Sequence, residues 1–236
     1  MLWVNELDQC GDAGWLVLLA KSLGCAGLIV KAWDGETYLP QCEQVIKLAH
    51  ACGLLVIAWG YNYGQNIPGE VAAIVKAVQS GQADGLILDV EEEFEAASGQ
   101  AMAENLLSAL ASSAVGYAGF GFTSFGLPAD HPTFPFETFA KYPGCLLTFP
   151  QVYFGDFRLP PATALQQSLA AYAEYDIPVA PICQAYSDPA VNYVANATDV
   201  LAFVTAAKAA GVPGVSFFST QDMTLALFGA LQSISF

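Results

Sequence analysis

Charge is what this chain has least of. Only 12% of its 236 residues are Asp, Glu, Lys or Arg, about half of the roughly 25% usual in a soluble domain. Lys and Arg together number seven, and the formal net charge is −15. A nucleic-acid binder needs cations to displace counterions from phosphates, and an anionic membrane surface makes the same demand. The scarcity of cations excludes both. Histidine is almost as rare: His50 and His131 stand alone, with no H-E-x-x-H or other ligand spacing, which removes a His-based zinc centre. The six cysteines, at 10, 25, 42, 52, 145 and 183, form no CxxC pair. They read as buried free thiols of a reducing compartment, with one or two disulfides as the alternative.

Other absences narrow the field further. Every apolar run is broken by Gly, Pro or charge before it reaches the length of a membrane span. There is no G-x-S-x-G elbow and no G-x-G-x-x-G turn after a strand. The opening LWVNEL reads as a strand with no basic stretch ahead of it, so the expectation is cytoplasmic synthesis without a signal peptide.

What is present is apolar: 55% of residues, enough for a sizeable core. An Ala-rich helical stretch ending near a Gly, followed by an apolar strand, recurs in AHACGLLVIAWG, QADGLILDV and AAKAAGVPGVSFFS. Glycine accepts the left-handed conformation that closes a helix, and the β-branched and aromatic run after it suits a strand. The pattern predicts eight strands, near 2–7, 27–32, 54–59, 85–90, 115–123, 145–153, 179–186 and 214–220. Helices fall near 11–23, 40–52, 67–80, 98–112, 162–175 and 198–210, with a last one near 222–232. Asn196 or Thr198 caps the helix near 198–210. The Pro-rich link GLPADHPTFPFETFAKYPG holds a short helix near 135–141, and a connection of that length is often functional. Near-continuous apolar strands imply burial on both faces, and alternating strands and helices imply crossovers. The prediction is α/β: a single (β/α)8 TIM-barrel domain over 1–236.

In such a barrel the site lies at the C-terminal ends of the strands. Those ends carry Asn5; Lys31 and Trp33; Trp59 and Tyr61; the run Asp89 to Glu93; Gln151 and Tyr153; Gln184 and Tyr186; and Phe218. Aromatic rings beside amides and carboxylates suit a neutral sugar, which offers flat C–H faces and hydroxyl edges. The same tyrosines also suit plain packing with the hydroxyl reaching water. GLILDVEEEF is the sharpest feature. Side chains alternate along a strand, so Asp89 and Glu91 share a face, with Glu93 if the strand persists, and Glu92 opposes them. Two adjacent carboxyl groups resist joint ionisation, the arrangement that glycoside cleavage uses. Three alternatives stay open: a solvated acidic loop, a hard-cation site from Asp89, Glu91 and Glu93, and a Schiff-base enzyme built on Lys31.

Gly85-Leu-Ile-Leu-Asp-Val-Glu91, closing the fourth strand, resembles the D-x-E signature of glycoside hydrolase family 25, the lysozyme-like muramidases. Gln151-Val-Tyr153 and Gly214-Val-Ser-Phe-Phe218 add to the likeness. The resemblance implies a glycosidase acting on an N-acetylated glycan such as peptidoglycan, without a cofactor or metal. Glu91 would be the general acid/base. Asp89 would orient the acetamido group or stabilise charge beside the anomeric carbon, with the substrate's own acetamido group as a nucleophile. Asn5, Lys31, Trp33, Trp59, Tyr61, Gln151, Tyr153, Gln184, Tyr186 and Phe218 would line the substrate site. The family carries an Asp on strand one, where this chain has Asn5. The longer D-x-x-D-x-D-x-E run of family 18 chitinases is read as absent. Asn5 and the low surface charge motivate an alternative: a non-catalytic glycan-binding or structural barrel in a larger assembly, such as a phage tail or cell surface. The expected partners are a glycan and, in that case, other protein chains; virion association or release onto a cell wall goes with this reading.

Overall fold

The computed structural model describes residues 1–116 and 119–234. Its strands are β1 (Leu2–Val4), β2 (Gly27–Asp34), β3 (Thr37–Tyr38), β4 (Leu55–Asn62), β5 (Gly85–Val90), β6 (Phe120–Phe125), β7 (Cys145–Val152), β8 (Ile182–Gln184) and β9 (Ser216–Phe218). The α-helices are α1 (Ala13–Ser22), α2 (Gln41–Ala51), α3 (Ile67–Gly81), α4 (Gly99–Ala111), α5 (Phe136–Ala140), α6 (Pro161–Tyr172), α7 (Ala197–Ala209) and α8 (Leu225–Gln232). Eight strands pair in parallel in the order β1-β2-β4-β5-β6-β7-β8-β9, and Leu2 pairs back onto Phe217. That last ladder closes a (β/α)8 barrel. The short β3 is an antiparallel addition to the end of β2. Among the described residues no helix is long and apolar enough to cross a membrane.

Helices α1, α3, α7 and α8 start at side-chain caps: Asp12, Asn66, Asn196 and Thr224 accept from backbone N–H groups two or three residues on. Asn196 is therefore the cap of α7, and Thr198 lies inside the helix. Gly53 and Gly211, at φ 72° and 71°, close their helices in the left-handed region as expected. The third instance differs. Gln82, at φ 50°, takes that turn after α3, and Gly85 opens β5 instead.

Several strands are shorter than their apolar runs. The first ends at Val4, and Leu7 already belongs to a 3-10 turn. The seventh barrel strand is only Ile182–Gln184, because Pro181 has no N–H to offer the ladder. The fifth barrel strand begins at Phe120 rather than 115; residues 117 and 118 of the expected stretch lie outside the described residues.

Two apolar clusters follow from strand alternation. Trp3, Ile29, Trp59, Ile87, Phe149 and Ile182 fill the barrel interior. The opposite faces of the same strands, through Leu2, Leu28, Val56, Leu88 and Phe122, pack on the helices. Each such side chain contributes roughly 1.5–3 kcal/mol by leaving water. One irregularity breaks the alternation. Lys31 pairs with Trp59 but Trp33 pairs with Gly60, so Ala32 is an extra residue on β2. The bulge turns Trp33 outward, where its indole is fully buried against the helices and donates to Asn62 Oδ1 at 3.4 Å.

Candidate functional site

β5, the fourth barrel strand, delivers Asp89 and Glu91 to the mouth. Ile87, two residues before Asp89, is inside the barrel, so Asp89 faces inward as well. The strand stops at Val90, and Glu92–Glu95 form a 3-10 turn. Glu92 is exposed, while Glu93 turns aside and accepts from the Tyr61 hydroxyl at 2.7 Å. Glu93 therefore does not extend the pair along the strand.

Gln151, near the end of β7, joins the two carboxyl groups. Its Nε2 donates to Asp89 Oδ1 at 3.2 Å and to Glu91 Oε1 at 2.7 Å. The two carboxyl groups are thus held side by side by one amide nitrogen, and carboxyl groups that close resist joint ionisation. Asp89 is only 6% exposed. Burial first, then the charge of Glu91, raises its carboxyl well above the ordinary range, while Lys31 opposes the rise.

The surroundings are aromatic. Trp59 lies below, edge-on to Trp3 at 5.3 Å and to Phe218 at 6.0 Å, with Lys31 Nζ 5.4 Å above its ring. Lys31 is held by Asp34 Oδ2 at 2.8 Å, and the other Asp34 oxygen accepts from Tyr63. Tyr153, Tyr186 and Phe218 form a wall with ring centroids 5.3–6.1 Å apart. Burial, followed by Tyr186, Asp89, Glu91 and Asp156, pushes the Tyr153 hydroxyl above its ordinary value. That list of neighbours places the hydroxyl among the mouth carboxyl groups.

The structure thus gathers Lys31, Trp59, Tyr61, Asp89, Glu91, Gln151, Tyr153, Tyr186 and Phe218 at one end of the barrel. Asn5 is at the same end, where its backbone N–H donates to Gln221 and its carbonyl accepts from Gln41. Two expected substrate residues are corrected. Trp33 is turned away from the mouth by the β2 bulge. Gln184 is fully buried, and both ends of its amide are taken: Oε1 accepts from Gly155 N at 2.7 Å and Nε2 donates to Asp156 Oδ1 at 2.8 Å. Its amide is engaged inside the protein and is not exposed to a ligand. Sequence reasoning also passed over part of the acidic pattern. Asp84, Asp89 and Glu91 stand at three of the four acid positions of D-x-x-D-x-D-x-E, with Ile87 at the fourth. Asp84 works at the base of β5, accepting from Val56 N at 2.8 Å and pairing with His50 Nε2 at 2.9 Å.

Two other features bear on what the site is. Among the described residues no group of three His, Cys, Asp or Glu side chains is arranged to hold a metal ion. An apolar cavity of about 380 Å³ lies at the opposite end of the barrel, around Met1, Cys25, Leu147 and Val215. Among the described residues no carboxyl side chain lines it, and none of the mouth residues named above does except Phe149's neighbours in the barrel interior. The Pro-rich link after β6 is pinned beside the mouth by His131, which stacks on Phe125 and lies 3.2 Å from Glu95.

No family model matches this sequence, and no curated protein matches it. Solved structures do match in fold. A family GH18 chitinase from Cycas revoluta, in complex with allosamidin, is 11% identical over 98% of each chain with a TM-score of 0.70. A chitinase from Chromobacterium violaceum is 14% identical over 98% of each chain, TM-score 0.68. The spore cortex-lytic enzyme SleL from Bacillus megaterium is 9% identical, covering 98% of this chain and 72% of its own, TM-score 0.67. At these identities the likeness is one of fold: the chain is a TIM barrel of the kind found in glycoside hydrolases.

Proposed function

We propose that this protein is a glycoside hydrolase that cleaves an N-acetylated glycan, of the peptidoglycan or chitin type, with the Asp89–Glu91 pair. The observation that carries the reading is the single amide nitrogen of Gln151 bridging two carboxyl groups at the C-terminal mouth of the barrel. Glu91 is the less buried of the two and delivers the proton to the leaving oxygen. Gln151 holds Asp89 beside Glu91, so that one proton is kept in the carboxyl pair until bond cleavage. As positive charge develops at the anomeric carbon, the pair takes on negative charge and stabilises it. The substrate's acetamido oxygen serves as nucleophile, and Asp89 orients that group. Trp59 and the Tyr153–Tyr186–Phe218 wall supply the flat surfaces for the sugar face. The fold likeness to chitinases and to a cortex-lytic enzyme supports this substrate class, while the family 25 resemblance supports peptidoglycan. A cell wall is accordingly the place of action.

The test is release of reducing ends from purified peptidoglycan and from chitin oligosaccharides, by wild type and by Glu91→Gln. Wild-type turnover that drops by about 10²–10⁴ in the mutant, the usual worth of a general acid, supports the reading. A second reading, a barrel that binds glycan without cutting it, is favoured by Ile87 and Asn5, which stand where the related patterns carry acids. Glycan binding with no turnover by the folded wild type decides for that one.

A further inference from the structure

A second acidic centre lies in the mouth, outside the Asp89–Glu91 pair. Asp156 sits in the loop between β7 and α6. Its Oδ1 accepts from Gln184 Nε2 at 2.8 Å and its Oδ2 from the Tyr186 hydroxyl at 2.6 Å. Gln184 in turn is fixed by the Gly155 N–H. One carboxyl group therefore ties together the loop after β7, the last residue of β8 and the segment after β8.

Tyr186 is the member of this bracket that reaches the site. Its ring stands edge-on to Tyr153 at 5.3 Å and 83°, and to Phe218 at 6.1 Å and 83°. A tyrosine ring on a flexible connection adopts several orientations unless its hydroxyl is anchored, and a charge-assisted hydrogen bond is a strong anchor. The Tyr186 hydroxyl therefore joins the aromatic wall to Asp156.

We infer that Asp156 is a positioning residue of the mouth: by anchoring Tyr186 it fixes the aromatic wall on which a pyranose ring stacks beside the Asp89–Glu91 pair. This rests on the glycan reading given above for the choice of substrate. The position of Tyr186 itself does not. Asp156 does not touch the reacting atoms, and its effect belongs to substrate binding.

The experiment compares wild type, Asp156→Asn, Tyr186→Phe and the double variant, each checked for folding. Kinetics are measured on N-acetylglucosamine oligosaccharides and on soluble peptidoglycan fragments. NMR follows the Tyr186 hydroxyl proton and ring carbons without substrate. The expected result is a Tyr186 hydroxyl protected from exchange in wild type and unprotected in Asp156→Asn. KM rises about tenfold in each single variant, the worth of one hydrogen bond to a charged group, with kcat within about twofold. The double variant is no worse than either single one, because both remove the same contact. An unchanged Tyr186 hydroxyl in Asp156→Asn overturns the inference, as does a released hydroxyl with KM unmoved. Tyr186→Phe keeps the question open to measurement if Asp156→Asn does not fold. A wild type that neither binds nor cleaves any of these glycans sinks the glycan reading, and the hydroxyl signal then decides alone whether Asp156 sets the wall.

Discussion

Asp89 is a liability to stability at neutral pH. Its carboxyl is raised above the ordinary range in the fold, whereas an unfolded Asp titrates near 3.9. Between those two values the folded state holds a proton that the unfolded state has released. Stability is therefore fully present below about pH 4 and is lost as pH rises through the folded value. Asn cannot ionise and is close to Asp in size. Asp89→Asn should raise the melting temperature at pH 7, and the gap over wild type should close as pH falls to about 4. Thermal unfolding across that range, with loss of any glycosidase turnover as the companion readout, checks it. At this scale the strand period was enough to read Asp89, Glu91, Gln151 and Tyr153 onto one face. It failed for Trp33, because a one-residue bulge reverses the faces and leaves no mark in KAWDG. It failed for Gln184 because the group that occupies its amide, Asp156, comes from another loop 28 residues away.

The elements rest on local chemistry that can be removed one piece at a time. Asn196 caps α7, accepting from Asp199 N at 3.0 Å while its Nδ2 donates to Asp199 Oδ2 at 2.8 Å. Asn196→Ala should cost about 1 kcal/mol, read as a lower midpoint in urea with an unchanged slope. Gly60 is required by the β2 bulge: a Cβ there would sit 2.3 Å from the Trp33 carbonyl oxygen and 2.4 Å from its ring. Gly60→Ala should therefore destabilise by about 1–3 kcal/mol, the range for overpacking a core, and calorimetry would show it as a lower melting temperature. Helices were legible almost to their ends, because caps and Gly signal both termini. Strand ends were less so. The first strand was expected to run past Asn5 and Glu6 to Leu7 but stops at Val4, and the seventh keeps only an isolated bridge, Thr148 to Val179, ahead of Ile182.

For the whole molecule, alternation of strands and helices was sufficient to predict a closed barrel, since eight strands with both faces apolar leave little room for an open edge. What closes it was not legible: the Trp3 indole donates to Ser216 Oγ at 2.8 Å, and its ring meets Trp59, Phe149 and Phe218. Trp3→Ala should cost about 3–5 kcal/mol, as for other buried large aromatics, and should weaken any glycan binding by loosening the floor under Trp59. Urea unfolding and binding titration on the same samples test both effects.

The ladder that shuts the barrel joins Leu2 to Phe217, residues from the two ends of the sheet in sequence order. β1 has β2 on one side, and only β9 fills the other. A sheet without that contact has two unpaired strand edges, and such edges are templates for pairing with other chains. The contact that makes the finished barrel edgeless is also among its longest in sequence, so whatever loosens Ser216–Phe218 from Leu2 turns a closed barrel into an open, adhesive sheet.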